Sequence, residues 1–201
     1  TAQAALFTER HIGYARHCVY NNHLISEALG LLAAGLWLSE LQEAPRWARL
    51  GLLLLDEAAR TQFYEDGGYI QQSHTYHRLA IENYLWACAL LRTAGKPLHS
   101  VWLQGIERSI SFLFAQQNQC DGRLPNYGAN DGSPSSHLSC CDFSDFRPTL
   151  QAVSLLVSNE RLYPAGPWDE AAGWWLGPMA LDAPLREVSR RSVSFAGTGF
   201  H

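Results

Sequence analysis

A chain of 201 residues is long enough to bury one sizeable core. Its composition, 47% hydrophobic and 17% charged, is globular, and a net charge of -4 argues against a nucleic-acid binder, which would carry a basic face. Glu9, Arg10, His11, Arg16 and His17 break up the apolar positions of residues 1–20, and the run Leu50 to Leu55 is too short to cross a bilayer. A soluble protein with no membrane or nucleic-acid partner is therefore expected, and a locally basic cleft for an anionic ligand stays possible on an acidic surface.

The first half of the chain alternates helical patterns with short breaks. Leu6, Ile12, Ala15 and Val19 predict a helix over 4–20. A second is predicted from Asn22 to Leu41, with Leu24, Ala28, Leu31, Leu32, Gly35 and Leu38 at spacings of three and four. Pro45 suits the first turn of a third, which continues to about Tyr64 before Asp66-Gly67-Gly68 breaks it. A fourth begins near Ser73 and stops at Gly95-Lys96-Pro97, and a fifth spans roughly 98–117. Short connections favour antiparallel neighbours. Residues 118–146 have little periodicity but many Gly, Pro, aromatic and charged residues, the character of a functional loop. Helix resumes after Pro148, and a short one is expected at 168–176. Val193, Phe195 and Phe200 among small polar residues read as a first β-strand, which cannot bury itself alone.

Cysteine usage does not fix a redox compartment. Cys18 and Cys88 fall in helical apolar patterns and read as buried free thiols. Cys120, His137, Cys140 and Cys141 could form a zinc site, but adjacent cysteines do not match a CxxC knuckle, and a disulfide from Cys120 to one of the pair is the better alternative for an exported protein. No metal and no cofactor are expected. Trp37, Trp47, Trp86 and Trp102 sit where helices bury residues. The Trp174-Trp175 pair is expected to remain partly exposed.

Two segments are richer in chemistry than a helix cap requires. In the first, Asn21-Asn22-His23-Leu24-Ile25-Ser26-Glu27, Asn22 and Ser26 share a helical face, as do His23 and Glu27. A helix start also offers free N–H groups to a carboxylate. The bland alternative is an Asn cap and a His–Glu surface pair. In the second, Gln71 to Arg78, the spacing of Ser73, Tyr76 and His77 puts a hydroxyl, a phenol and an imidazole on one face, and Arg78 could favour phenolate. Here the bland alternative is a Ser-capped helix with its Tyr in the core and His and Arg facing water.

Taken in order with Leu124-Pro125-Asn126-Tyr127-Gly128-Ala129-Asn130-Asp131-Gly132, these segments resemble the heparinase II/III-like polysaccharide lyases. The Asp66-Gly67-Gly68 turn and Arg147-Pro148 fit the same pattern, and the resemblance covers roughly residues 10–160. It implies an incomplete α/α toroid over 1–185 and the start of an antiparallel β-sandwich over 186–201, with the rest of that sandwich domain outside the chain. It also implies β-elimination on a uronate-containing, anionic polysaccharide. In that reading Asn22, with His23, neutralises the uronate carboxylate so that C5 can lose its proton, and Tyr76 acts as general acid to the departing O4, and in some cases as the base. Candidate sugar contacts are Tyr69, His74, His77, Arg78, Arg123, Tyr127 and Asn130. The resemblance further suggests a bacterial periplasmic or secreted enzyme. His201 is not equated with the sandwich-domain histidine that the family uses. Two alternatives remain: a non-catalytic sugar-binding or polysaccharide-assembly toroid, and a toroid glycoside hydrolase drawing its carboxylates from Glu65, Asp66 and Asp131.

Overall fold

The computed structural model describes residues 2–132, 134–188 and 192–200. The fold is mainly α, with seven α-helices and no strands among the described residues. They are α1 (Ala2–Tyr14), α2 (Asn22–Trp37), α3 (Ala44–Thr61), α4 (His74–Thr93), α5 (Ser100–Gln116), α6 (Arg147–Ser158) and α7 (Asp169–Leu176), with a 3-10 turn at Pro178–Asp182.

The helix expected over 4–20 is split. After Tyr14 the chain widens into a π-helical turn, Ala15–Val19, that ends on Tyr20 in the left-handed region at φ 46°. This turn rotates Cys18 outward, so the thiol expected to be buried is exposed; Cys88 is buried as expected. Burial pushes the Cys88 thiol up to about 12, which makes it an inert packing group. Cys120, Cys140 and Cys141 are likewise free, and no metal-binding cluster occurs among the described residues.

Small residues let α2 and α3 pack as a close antiparallel pair. A methyl group on Gly35 would come within 2.6 Å of Ala44 O, and one on Gly51 within 2.7 Å of Ala28 O and Leu32 N. The backbones touch at these points, and any side chain would force the helices apart. Trp47 and Trp102 are fully buried, Trp86 is half-buried, and Trp37 is 68% exposed because α2 ends there and leaves it beyond the last turn that α3 covers. Of the tryptophan pair, Trp175 is buried and Trp174 is 71% exposed. Polar ties fix the outer helix: Glu9 accepts from Arg46 at 2.5 and 2.7 Å and from Trp47 Nε1 at 3.1 Å, and Arg16 clamps Glu57.

Two hydrogen bonds set the direction of α2 against α4. The backbone N–H of Asn22, in the first turn of α2, donates to Gln71 Oε1 at 3.1 Å, just ahead of α4. Further along, Asn83 Nδ2 donates to Ser26 Oγ at 2.9 Å. Both helices therefore begin at the same end of the molecule.

The Asp66-Gly67-Gly68 turn is a socket. Asp66 accepts from Gly68 N and from Thr198 N and Oγ1. Gly67 has φ 90° and lies on the Arg108 carbonyl, where only glycine fits. The segment it receives, expected to open a β-strand, is a tight turn closed by one antiparallel bridge between Phe195 and Phe200. Phe195 is buried against Phe112, and Phe200 packs on Phe112 and Tyr127. The expected strand region also includes residues 189–191 and His201, which lie outside the described residues.

Candidate functional site

At the start of α2 the capping work falls to Asn21, whose side chain accepts from His23 N at 2.9 Å. Asn22 is thereby left out of the cap. It is buried, and its Oδ1 has no hydrogen-bond partner among the described residues. His23 is exposed one residue on, and burial pushes the Glu27 carboxyl above its usual range, an effect its neighbour His23 opposes only in part. Gln62 locks this helix start from below, donating through Nε2 to Asn21 O and accepting from Tyr69 Oη. A glutamine in a loop carries no periodicity, so neither Gln62 nor Gln71 was visible as a positioning residue from sequence.

Ser73 caps α4, accepting from Tyr76 N at 3.2 Å while its hydroxyl donates to Ala129 O at 2.6 Å. The loop containing Ala129 is latched across the helix start. His74 N donates to Tyr127 O, His74 Nδ1 donates to Pro125 O at 2.8 Å, and Tyr127 Oη donates to Gln72 Oε1. Gly128 makes the approach possible: its φ is 75°, and a methyl group there would fall 2.7 Å from Ser73 Cα and closer still to Gln72 O. The latch brings Asp131 to Tyr76, whose phenol donates to Asp131 Oδ2 at 2.7 Å. This hydrogen bond to a carboxylate raises the Tyr76 pKa above its usual value, so the phenol is held protonated.

Several expectations for this segment are corrected by burial. His77 does not share the surface with Tyr76. It is 1% exposed, Nε2 lies 2.8 Å from Ser109 Oγ, and the ring stacks on Tyr69. Because the Ser109 hydroxyl donates to Gly105 O, His77 donates to it and is neutral; burial takes its pKa down to about 3. Tyr69 is 2% exposed and His74 is buried under the loop, so neither presents a face to a ligand. Arg78 is also buried, between the rings of Phe143 and Phe146 at 4.3 and 4.4 Å. It therefore does not promote a phenolate at Tyr76, where Asp131 works in the opposite direction. The helical period places Tyr76 outward while His77 and Arg78 turn into the protein.

The remaining candidates lie on the loop surface. Arg123 is exposed and faces Asp121 and Asp142 at 3.8 Å. Tyr127 is partly exposed with its ring edge on Phe200, and Asn130 Nδ2 donates to Asn126 Oδ1. Of the three acids considered for hydrolysis, Asp66 is committed to the Thr198 turn and Asp131 to Tyr76.

Fold and site together define a helical scaffold with an amide and an imidazole at the start of α2 and a carboxylate-bound phenol at the start of α4, two helices that begin at the same end of the molecule. Residues 4–142 match the family model described as Heparinase II/III N-terminus, and the chain belongs to that family. It is similar to a heparin-sulfate lyase of Bacteroides stercoris, 28% identical over 115 residues, which are 52% of this chain and 17% of that protein. A heparin-sulfate lyase of Pedobacter heparinus is 30% identical over 96 residues, 47% of this chain and 15% of that protein. The matched stretch thus spans about a sixth of the length of either relative. No solved structure gives a significant match.

Proposed function

We propose that the protein is a polysaccharide lyase that cleaves a uronate-containing chain by β-elimination, with Asn22 and His23 on the uronate carboxylate and Tyr76 at the glycosidic oxygen. The observation that carries this reading is that α2 and α4 begin at the same end of the molecule. Asn21 relieves Asn22 of the capping role, and Asp131 holds the Tyr76 hydroxyl at the same end of the molecule. The relatives' names supply the substrate class: an acidic glycan such as heparin sulfate.

Hydrogen bonds from the Asn22 amide and the His23 imidazole spread the charge of the carboxylate into an enolate-like state, which acidifies C5–H. Tyr76 starts as a phenol. A base removes the C5 proton, Tyr76 gives its own proton to O4 as the C4–O4 bond breaks, and the product carries a C4–C5 double bond. Asp131 serves by keeping Tyr76 in its acid form until that step, after which the phenolate regains a proton from solvent. We place the toroid over residues 1–185 and the opening of a β-sandwich over 186–201, and a periplasmic or secreted location follows from a polymer substrate that does not enter the cytoplasm.

The whole protein, incubated with heparan sulfate, hyaluronan, chondroitin and alginate, should generate the ultraviolet absorbance of an unsaturated uronate with one of them, and Tyr76→Phe should abolish it. New reducing ends without that absorbance would instead indicate hydrolysis. Binding with no cleavage by the wild type would indicate a non-catalytic sugar-binding protein.

A further inference from the structure

A cavity of about 260 Å³ lies between α4, the 134–145 segment, the start of α6 and α7, on the side of α4 occupied by Arg78 and Glu82. Three of the side chains that line it carry buried polar atoms with no hydrogen-bond partner among the described residues: Arg78 Nη2, Ser136 Oγ and Trp175 Nε1. Arg78 and Trp175 are 4% and 6% exposed. A buried donor without an acceptor is costly, and here three converge on one space. The guanidinium is held in place: Nη1 donates to Phe143 O, and the Phe143 and Phe146 rings cover its two sides.

Charge bookkeeping around the cavity decides what would fit. Glu82 accepts from Thr149 Oγ1 at 2.8 Å and from Ser135 N and Oγ, and it lies 4.0 Å from Arg78 Nε. The Asp145 carboxylate is clamped by Arg147, and Asp142 faces Arg123. Arg78 and Glu82 therefore form an internally neutral pair, so the guanidinium on the cavity's lining is already balanced, and the exposed His137 is the other basic side chain there. Free donors, the remaining acceptor capacity of Glu82 Oε1 and the rings of Phe143 and Trp175 instead match a neutral ring bearing hydroxyl groups.

We propose that this cavity is a binding site for a neutral glycosyl unit, distinct from the surface at Asn22 and Tyr76. The inference rests on the polysaccharide substrate proposed above and adds a position for a ring without a carboxylate. Hydroxyl or ring oxygens accept from Arg78, Ser136 and Trp175, and hydroxyl protons go to Glu82.

The test compares methyl glucoside with methyl glucuronide, which share the pyranose ring and differ at C6, on the whole protein. Ligand-observed NMR gives affinity, and the indole N–H resonance of Trp175, assigned with Trp175→Phe, gives location. Expected are a shift of that resonance by the glucoside alone, and about threefold to tenfold weaker glucoside binding in both Trp175→Phe and Ser136→Ala. Equal or tighter binding of the glucuronide, no binding of either probe, or glucoside binding that survives both substitutions would overturn the proposal. Tyr76→Phe separates this from the lyase reading: it should remove cleavage and leave the Trp175 shift in place.

Discussion

Gly128 and Gly132 form a matched pair that isolates the energetics of the latch over Tyr76. Both have φ near +70°, at 75° and 72°, so alanine at either costs about 1–2 kcal/mol for a left-handed residue. They differ in space. A methyl group on Gly132 meets nothing within 4 Å, whereas one on Gly128 runs into the backbone of Gln72 and Ser73. Overpacking of that kind adds roughly 1–3 kcal/mol if the loop stays seated. The loop can instead lift, losing the bonds from Ser73 to Ala129, His74 to Tyr127 and Pro125, Tyr127 to Gln72, and Tyr76 to Asp131. At about 0.5–1.5 kcal/mol net for each, the five bonds come to about 2.5–7.5 kcal/mol, which overlaps the roughly 2–5 kcal/mol of clash and left-handed strain that lifting relieves. Gly128→Ala should therefore lower unfolding free energy by about 2–5 kcal/mol and populate a lifted loop, while Gly132→Ala should cost about 1–2 kcal/mol with the loop seated. Urea unfolding gives the first quantity, and hydrogen exchange at the His74 amide, which the Tyr127 carbonyl protects, gives the second. Equal losses in the two variants, or unchanged His74 protection in Gly128→Ala, would refute the reasoning.

Asp131→Asn removes the carboxylate that raises the Tyr76 pKa, so the alkaline limb of the pH–rate profile should move to lower pH; an unmoved limb would mean that the 2.7 Å contact does not govern the phenol. Gly51→Ala should destabilise the α2/α3 pair by about 1–3 kcal/mol in urea unfolding, since the methyl group would meet Ala28 O and Leu32 backbone. Acid stability should depend on His77. The folded protein holds it neutral down to about pH 3, whereas the unfolded chain protonates it near 6.5, so its contribution is complete above about pH 6.5 and drains away as pH falls toward 3, by up to about 1.4 kcal/mol per unit. His77→Gln should flatten the dependence of the urea midpoint on pH across that window, and an unchanged slope would show that His77 is not the group being titrated.

Periodicity, caps and breakers determine the helix inventory by local rules, which is why Ser73, Pro45, Pro148 and the Gly95 stop mark their helices in the sequence as well as in the structure. Family membership was legible for a related reason: the Asn22-His23 and Ser73 to His77 segments and the 124–132 loop keep their order whatever the packing. The split of the first helix at Tyr14 was not legible, because the widened turn that exposes Cys18 leaves the apolar spacing nearly unchanged. Which neighbours in Tyr76-His77-Arg78 face out was also undecided by spacing, since three consecutive helical residues sweep over half the circumference and only the packing of α5 and the 143–146 segment shows which side is inside. The contact between Tyr76 and Asp131 joins residues far apart in the chain through a loop that bends only because Gly128 lies flat on the start of α4. Local chemistry wrote the candidate residues into the sequence; long-range packing decided which of them reach the surface and what holds the phenol's proton.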